Sequence, residues 1–269
     1  MKREDYPPQE PLSEAGERYG AECWRRGAGV QGEEFAYGDD PYQRLLVFRA
    51  PRPEAPVLVF WHGGGWTSGY KEWMAFMAPA LTAGGVTLVS PGYRLAPRHV
   101  FPTGFDDCAR AVKWTLEHLA PRRLFLGGHS AGGHYAALLA VRGDWQAARG
   151  VPRAAIAGCL PVSGVFDFTE GSGLSVRPRF LGPEGSGAER DASPLHRLEP
   201  PLPPFLLAHG DQDFPHLMRQ AETFEAALRR RGVPVERLVL AGRNHFGASY
   251  AAGEPDGPWV PRALRFMSP

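Results

Sequence analysis

This sequence of 269 residues lacks a large net charge, a long apolar run, a secretory signal segment and paired cysteine spacing. Each of these absences argues against one class of protein. The 30 Lys and Arg residues are balanced by 29 Asp and Glu residues, so the sequence carries no electrostatic footprint for nucleic acid. No apolar run approaches the roughly 18 residues of a membrane-spanning helix. The charged, proline-broken stretch 1–8 lacks the apolar segment of a secretory signal. The three cysteines lack CxxC spacing, which favours reduced thiols and a cytoplasmic protein.

The sequence does contain a regular alternation of apolar strand patterns and amphipathic helix patterns. We expect strands at Glu33–Tyr37, Gln43–Phe48, Val57–Trp61, Val86–Ser90, Arg123–Leu126, Ala154–Leu160, Phe205–Ala208 and Val235–Leu240, and helices at Glu72–Ala83, Asp106–Leu119, Ala131–Val141 and Leu217–Arg231. This order indicates an α/β fold, with a mostly parallel central sheet and helices on both faces. We predict one domain over residues 1–269, with residues 1–30 as a polar, turn-rich N-terminal arm anchored by Tyr19 and Trp24.

One stretch, residues 167–204, breaks the alternation because it is rich in Gly, Ser, Pro and Arg and has few apolar pairs. Long loops in compact domains usually serve a function, which favours a short cap that leaves the edge of the sheet. A surface loop without a function is the alternative. The sequence therefore predicts a cap excursion rather than a second domain.

A serine stands at the centre of Gly128-His129-Ser130-Ala131-Gly132, which fits the G-x-S-x-G pattern. The motif lies between a predicted strand and a predicted helix, as a nucleophile elbow requires. So tight a turn strains the backbone of its central residue, and flanking glycines let the strand and the helix approach each other. Ser130 is therefore the candidate nucleophile. The alternative is an ordinary turn with a serine that caps the helix.

Three consecutive glycines follow the strand Val57–Trp61, within His62-Gly63-Gly64-Gly65-Trp66. Consecutive glycines carry a high conformational entropy, so this loop needs bare backbone. Acyl transfer needs amide donors that face a developing oxyanion, and the amides of Gly63, Gly64 and Ala131 are our candidates for that oxyanion hole. A phosphate-binding loop is disfavoured because neither G-x-x-x-x-G-K-[ST] nor G-x-G-x-x-G is present. A plain turn is the remaining alternative.

These motifs together resemble a known family. They are HGGGW at 62–66, Tyr93-Arg94-Leu95-Ala96-Pro97 followed by Phe101-Pro102 and Asp106-Asp107, and GHSAGG at 128–133. The combination resembles the hormone-sensitive-lipase-like esterases of the α/β-hydrolase superfamily. The resemblance covers most of residues 55–250 and implies an α/β-hydrolase fold with serine hydrolase activity.

Several further segments are more similar to kynurenine formamidase (arylformamidase). These are His129, Val162-Ser163-Gly164-Val165-Phe166-Asp167, Asp213-Phe214-Pro215 with Arg219-Gln220, Asn244-His245-Phe246, and the early Tyr37-Gly38 turn. This resemblance implies hydrolysis of N-formylkynurenine to kynurenine and formate. The run 93–97 with Phe101-Pro102 is instead typical of the general esterases, so a short-chain carboxylesterase is the alternative.

The family's chain order is nucleophile, acid, base, and it selects the partners of Ser130. His245 is the candidate base, because we place it in a loop just beyond the strand Val235–Leu240. Asp211 and Asp213 both follow the strand Phe205–Ala208, and the family's H-G-x-x-D spacing favours Asp213.

Three other histidines are expected to be structural. We expect His129 to point away from the nucleophile, His134 to lie on the helix after the elbow, and His62 to support the glycine loop. The pairs Asp39-Asp40 and Asp106-Asp107 are interpreted as turn and helix-start residues.

Aromatic residues adjoin the proposed machinery in sequence and suggest a pocket for an aryl leaving group. They are Trp66, Tyr70, Phe166, Phe168, Phe214 and Phe246. Packing in the core is the alternative for each ring taken singly.

A small ester or formamide is the expected substrate, with no metal or other cofactor, since no HExxH or His/Cys spacing is present. We expect no nucleic-acid or membrane partner, and a homodimer is the candidate assembly. A lipase or peptidase and an inactive, hydrolase-fold binding protein are the minor alternatives.

Overall fold

The fold is known from a computed structural model, which describes residues 3–169, 171–172 and 179–268. The strands are β1 (Glu33–Ala36), β2 (Arg44–Phe48), β3 (Val57–Trp61), β4 (Thr87–Pro91), β5 (Leu124–His129), β6 (Ile156–Val162), β7 (Phe205–Gln212) and β8 (Val235–Asn244). They form one sheet in the order β1-β2-β4-β3-β5-β6-β7-β8. The β1–β2 and β2–β4 pairs are antiparallel and the other pairs are parallel, so the prediction of a mostly parallel sheet is confirmed.

Helices connect the strands. The α-helices are α1 (Glu14–Arg26), α2 (Ala78–Ala83), α3 (Thr103–Leu119), α4 (Ala131–Val141), α5 (Asp144–Arg149), α6 (Ala188–Ala192), α7 (Pro215–Arg229), α8 (His245–Ala251) and α9 (Val260–Met267), with short 3₁₀ helices at Arg3–Asp5, Lys71–Met77, Arg153–Ala155 and Pro194–His196. In the described part of the chain, no helix has the length and apolar character needed to cross a membrane.

The centre of the sheet is buried on both faces, as its continuous apolar runs require. Every residue of β3 and β5 is buried, and so are the three cysteines, Cys23, Cys108 and Cys159. Burial raises the pKa of all three thiols above its ordinary value. The cysteines therefore pack as small core residues, in agreement with their lack of paired spacing.

The N-terminal arm contains a helix that the sequence analysis missed. Ser13 caps α1, because its Oγ accepts a hydrogen bond from the amide of Gly16 at 3.2 Å. Acidic residues occupy the first turn of α1 and basic residues its last turn, which suits the helix dipole. The expectation of a turn-rich arm over residues 1–30 is therefore wrong for α1.

The buried side of α1 is narrow and allows a close approach to the body of the protein. Tyr19, Gly20 and Cys23 lie on this side. A Cβ atom at Gly20 would come within 2.8 Å of the Trp73 ring, so glycine is needed where the helix crosses this ring. Tyr19 packs edge-on against the same ring. The Tyr19 prediction was thus correct, although its ring is carried by a helix.

The helix expected at Glu72–Ala83 is divided in two. Residues 71–77 form a 3₁₀ helix, and α2 begins only at Ala78 with Pro79 in its first turn. Proline lacks an amide hydrogen and its ring clashes with the preceding turn, so an α-helix tolerates it only near its start. Pro79 therefore explains why the expected single helix is not continuous.

Asp107 has a different role from the helix-start role expected of it. Its carboxylate is fully buried and accepts hydrogen bonds from the backbone amide, Nε and Nη2 of Arg94 at 3.0, 2.8 and 2.8 Å. Gln43 Nε2 donates a further bond at 2.7 Å. Asp107 thus fixes the segment after β4 against α3, whereas Asp40 does lie in a turn and accepts from the amide of Tyr42.

Candidate active site

Ser130 lies on a strained turn between β5 and α4. Its backbone has φ 53° and ψ −117°, in a region that residues with a side chain rarely adopt. A Cβ atom at Gly132 would come within 2.2 Å of the carbonyl oxygen of Trp61, so only glycine permits this contact between α4 and β3. The strand–turn–helix context expected for the motif is therefore confirmed.

The glycine loop approaches the serine from β3. A Cβ atom built on Gly63 would lie 3.2 Å from Ser130 Cβ, and Gly64 has φ 113°. Within the described residues, the amides of Gly63 and Gly64 donate no hydrogen bond to a backbone or side-chain acceptor. Ala131 is the first residue of α4, so its amide has no intrahelical acceptor. The structure thus places Gly63 beside Ser130, and an oxyanion hole formed by the amides of Gly63, Gly64 and Ala131 stays a prediction.

His62 supports this loop from inside the protein. Its Nδ1 lies 2.6 Å from the carbonyl oxygen of Gly63 and its ring stacks on Tyr93 at 4.4 Å. The hydroxyl of Tyr93 donates to the carbonyl oxygen of His62 at 3.0 Å. Burial lowers the pKa of His62 to about 4, so the ring is neutral near pH 7.

His245 is the first residue of α8 rather than a loop residue, so that expectation was wrong. Strands β7 and β8 continue beyond their apolar stretches through polar residues and pair as far as Gln212 and Asn244. Asn244 then caps α8, because its Oδ1 accepts from the amide of Gly247 at 2.8 Å. The cap fixes the position of His245 at the C-terminal end of the sheet.

Ser130, His245 and Asp213 form one hydrogen-bonded chain. His245 Nε2 lies 3.0 Å from Ser130 Oγ and His245 Nδ1 lies 2.8 Å from Asp213 Oδ1. A carboxylate only accepts hydrogen bonds, so Nδ1 carries the proton and Nε2 accepts from the serine hydroxyl. The arrangement has the geometry that a serine nucleophile and its base require.

Asp213 is held as an anion. Its burial would raise the pKa, but hydrogen bonds from His245, from Ser163 Oγ and from the amide of Phe214 outweigh burial and lower the pKa to about 2. The competing candidate, Asp211, is exposed and accepts from the amide of Gly242. The structure therefore places Asp213 beside His245, as the H-G-x-x-D spacing predicted, and adds Ser163.

Two further histidines are neutral and buried near the site. His134 lies on α4 as expected, and both of its nitrogens are used: Nε2 donates to the carbonyl oxygen of Ala192 at 2.7 Å and Nδ1 accepts from Trp66 Nε1 at 3.1 Å. His129 Nε2 donates to the carbonyl oxygen of His245 at 3.0 Å. Burial lowers the pKa of both rings to about 3.

The six aromatic residues do not all lie in one pocket. Tyr70 packs among Tyr6, Trp24 and Trp73. Phe166 is 2% exposed and stacks on Phe224. The rings of Tyr70 and Phe166 are therefore core rings, which was the alternative for each ring taken singly.

Of the other four aromatic residues, Trp66 and Phe168 are buried as well, whereas Phe214 and Phe246 contact the ring of His245. Trp66 stacks on Phe180, and Phe168 tilts against both rings. Phe246 packs on Tyr19 of α1. Phe214 is 47% exposed, with its ring centroid 4.8 Å from that of His245. Phe214 is thus the predicted ring that offers the most surface beside the base.

The segment 167–204 contacts Trp66 of the glycine loop through Phe168 and Phe180, and it contacts His134 of α4 through the carbonyl oxygen of Ala192. Residues 170 and 173–178 of the expected cap lie outside the described residues. A cover over the active site therefore stays a prediction. Among residues 3–169, 171–172 and 179–268, no group of three or more His, Cys, Asp or Glu residues is placed to hold a metal ion.

Comparison with known proteins agrees with this fold. A family model described as alpha/beta hydrolase fold matches residues 58–248. The chain belongs to the α/β-hydrolase fold family. Esterase LipC of Mycobacterium tuberculosis is 32% identical over 259 residues, which cover 86% of this α/β hydrolase and 63% of LipC. Isoprenylcysteine alpha-carbonyl methylesterase ICME of Arabidopsis thaliana is 27% identical over 235 residues, which cover 78% and 55% of the two chains. This α/β hydrolase thus spans little more than half the length of these relatives.

Solved structures show the same fold. An esterase of Pyrobaculum calidifontis superposes with a TM-score of 0.76 at 22% identity and covers 93% of this α/β hydrolase and 91% of that chain. The carboxylesterase EstE1, cloned from a metagenomic library, gives a TM-score of 0.74 at 22% identity and covers 94% of both chains. The α/β-hydrolase fold expected from the motifs is confirmed.

Proposed function

We propose that this α/β hydrolase is a serine carboxylesterase that cleaves small esters through an acyl-enzyme on Ser130. The observation that carries the proposal is the chain of hydrogen bonds from Ser130 through His245 to Asp213. The names of the relatives give further support, since LipC is called an esterase and ICME a methylesterase.

The first half of the proposed reaction transfers the acyl group to the enzyme. Ser130 Oγ attacks the ester carbonyl carbon while His245 Nε2 takes the hydroxyl proton. Asp213 holds the Nδ1–H tautomer and stabilises the imidazolium that forms. The bond from the carbonyl carbon to the alcohol oxygen then breaks, and the imidazolium returns the proton to the departing alcohol. Water repeats the sequence, which releases the acid and restores Ser130.

The glycine loop supplies the charge stabilisation in this proposal. The carbonyl oxygen becomes negative as its carbon turns tetrahedral, and in this proposal it accepts hydrogen bonds from the amides of Gly63, Gly64 and Ala131. Support comes from Gly63, which lies beside Ser130, and from Ala131, whose amide has no acceptor within its helix. These donors are fixed by the backbone, so they need little reorganisation during the reaction. Loss of one such donor in a comparable site slows turnover by roughly 10²- to 10³-fold.

A second candidate substrate is an N-formyl arylamide, with N-formylkynurenine as the test compound. The observation that favours it is the exposed Phe214 ring beside His245. The aryl leaving group takes its proton from His245, so it departs next to this ring and can pack against it. Its amine is weakly basic and the formyl group is small, so this amide is far easier to cleave than a peptide bond.

One set of assays separates these candidates. We expect wild type to release p-nitrophenol from p-nitrophenyl acetate, and a fluorophosphonate probe to label wild type but not Ser130→Ala. Values of kcat/KM for p-nitrophenyl acetate, p-nitrophenyl octanoate and N-formylkynurenine then rank the substrates. A kcat/KM for N-formylkynurenine that matches or exceeds that for p-nitrophenyl acetate supports the arylformamidase function. Absence of N-formylkynurenine turnover supports the esterase function instead. Absence of both ester hydrolysis and labelling contradicts an enzyme and favours a binding protein.

The variant Phe214→Leu tests the aryl contact directly. It keeps an apolar side chain beside His245 but removes the ring. We expect a several-fold loss of kcat/KM for the aryl formamide and little change for methyl acetate, which has no ring to lose a contact. Equal losses for both compounds would contradict the aryl contact.

A further inference from the structure

A buried hydrogen-bond chain connects the N-terminal helix to the backbone of His245. Ser249 Oγ on α8 lies 2.9 Å from the hydroxyl of Tyr19 on α1. That hydroxyl lies 3.4 Å from His129 Nδ1, and His129 Nε2 lies 3.0 Å from the carbonyl oxygen of His245. Tyr19, His129 and Ser249 are at most 3% exposed, so the protein shields the chain from solvent.

The direction of this chain follows from its last member. A carbonyl oxygen can only accept, so His129 Nε2 carries the proton and donates to His245. A neutral imidazole with a proton on Nε2 accepts at Nδ1, so the Tyr19 hydroxyl donates to His129. The Tyr19 oxygen is then left to accept from Ser249. Each hydrogen bond of the chain therefore has one direction, and the carbonyl oxygen of His245 accepts the last of them.

His129 also contacts the other parts of the site. Its ring centroid lies 4.7 Å from that of His245. A Cβ atom at Gly63 would come within 2.9 Å of His129 Nδ1, so the ring lies against the glycine loop as well. Its pKa of about 3, which follows chiefly from burial, keeps it uncharged at neutral pH. A neutral ring in this place can fix geometry without adding charge to the imidazolium of His245.

We infer that His129 and Tyr19 are positioning residues, which hold His245 in hydrogen-bond reach of Ser130 through the backbone carbonyl of His245. Helix α1 then contributes to the site, because its Tyr19 supplies the hydroxyl that orients His129. The inference rests on the proposed function, in which His245 is the base.

A matched pair of variants tests the role of His129. His129→Gln keeps an N–H donor at a similar reach, whereas His129→Met has similar length and no donor. We expect His129→Met to lower kcat for p-nitrophenyl acetate by roughly 10- to 100-fold with little change in KM, because a small displacement of the base slows chemistry more than binding. His129→Gln should stay within about fivefold of wild type. Equal kcat values for the two folded variants would overturn the inference.

Tyr19 has its own matched control if His129→Met does not fold. Tyr19→Phe removes only the donor hydroxyl, while Tyr250→Phe removes the hydroxyl of a neighbouring ring that is tilted against Tyr19. We expect kcat to fall about three- to tenfold in Tyr19→Phe and to stay at the wild-type value in Tyr250→Phe. The proton resonance of His245 Nδ1–H should shift or broaden in Tyr19→Phe alone. Identical kcat and spectra in the two variants would overturn the role of Tyr19.

Failure of the inference is distinct from failure of the proposed function. If Ser130→Ala keeps wild-type turnover, the proposed function is wrong whatever the His129 variants do. If Ser130→Ala is inactive while His129→Met matches His129→Gln, only the positioning role is wrong.

Discussion

Ser163 Oγ donates a hydrogen bond to Oδ2 of Asp213, while Oδ1 of the same carboxylate faces His245 Nδ1 at 2.8 Å. Ser163 directly follows β6 and has a left-handed backbone with φ 50°. The carboxylate is therefore held from two sides, by Ser163 at the end of β6 and by His245 at the start of α8. Such a clamp leaves Oδ1 in one orientation for the imidazole, which is the role that the third member of a triad needs.

Ser130→Ala and His245→Ala should each lower kcat by about 10⁴-fold or more while the fold is kept. The residues act as one unit, so the double variant should be little slower than either single variant. Steady-state hydrolysis of p-nitrophenyl acetate and thermal unfolding of each variant measure the two effects. A folded Ser130→Ala protein with more than a tenth of wild-type turnover would contradict the nucleophile assignment.

Asp213→Asn should lower kcat by about 10⁴-fold, because an amide at this place favours the wrong tautomer of His245. Asp211→Asn is the matched control, since Asp211 is exposed and contacts only the amide of Gly242 among its described hydrogen bonds. Its kcat should stay close to the wild-type value. The reverse ranking would identify Asp211 as the acid.

Local sequence patterns predicted the parts of the site that depend on local backbone geometry. The strained φ of Ser130 and the contact of Gly132 with Trp61 are the reasons for the G-x-S-x-G spacing. The spacing from His209-Gly210 likewise selected the carboxylate that contacts His245. Each of these signals lies within a few residues of the group it positions.

The parts that sequence reasoning missed depend on contacts between distant segments. Tyr19 was noticed as an aromatic anchor, but its partners His129 and Ser249 lie 110 and 230 residues further along the chain. The polar ends of β7 and β8 pair with each other, so no apolar pattern marked the strand that leads into His245. The cap of α1 at Ser13 was the available signal for the missing helix.

The free energy of unfolding should fall steeply as the pH drops below about 6.5. Burial is the main cause that lowers the pKa of His62 to about 4 and those of His129 and His134 to about 3. The unfolded chain therefore binds three protons that the folded protein excludes, so acid favours unfolding. Each histidine contributes about 1.4 kcal/mol per pH unit, or about 4 kcal/mol for all three between pH 6 and pH 5.

Urea unfolding at several pH values measures this slope. The variant His134→Gln should lower the slope of the unfolding free energy against pH by about 1.4 kcal/mol per pH unit, because it removes one of the three buried rings. Asp213 acts in the same direction but only between its ordinary pKa of 3.8 and about 2, so it does not contribute above pH 5. A free energy of unfolding that is constant from pH 7 to pH 5 would contradict the neutral, buried state of these histidines.

Asp107→Ala should lower the free energy of unfolding by about 3 to 5 kcal/mol, because it leaves Arg94 and Gln43 without the buried carboxylate to which they donate. The neighbouring Asp106 is the matched control, since its side chain is 46% exposed and forms a surface ion pair with Arg149. Asp106→Ala should change the free energy by no more than about 1 kcal/mol. Urea unfolding of both variants at pH 7 gives the comparison. Equal losses would mean that the buried ion pair of Asp107 and Arg94 stabilises the fold no more than the exposed pair of Asp106 and Arg149 does.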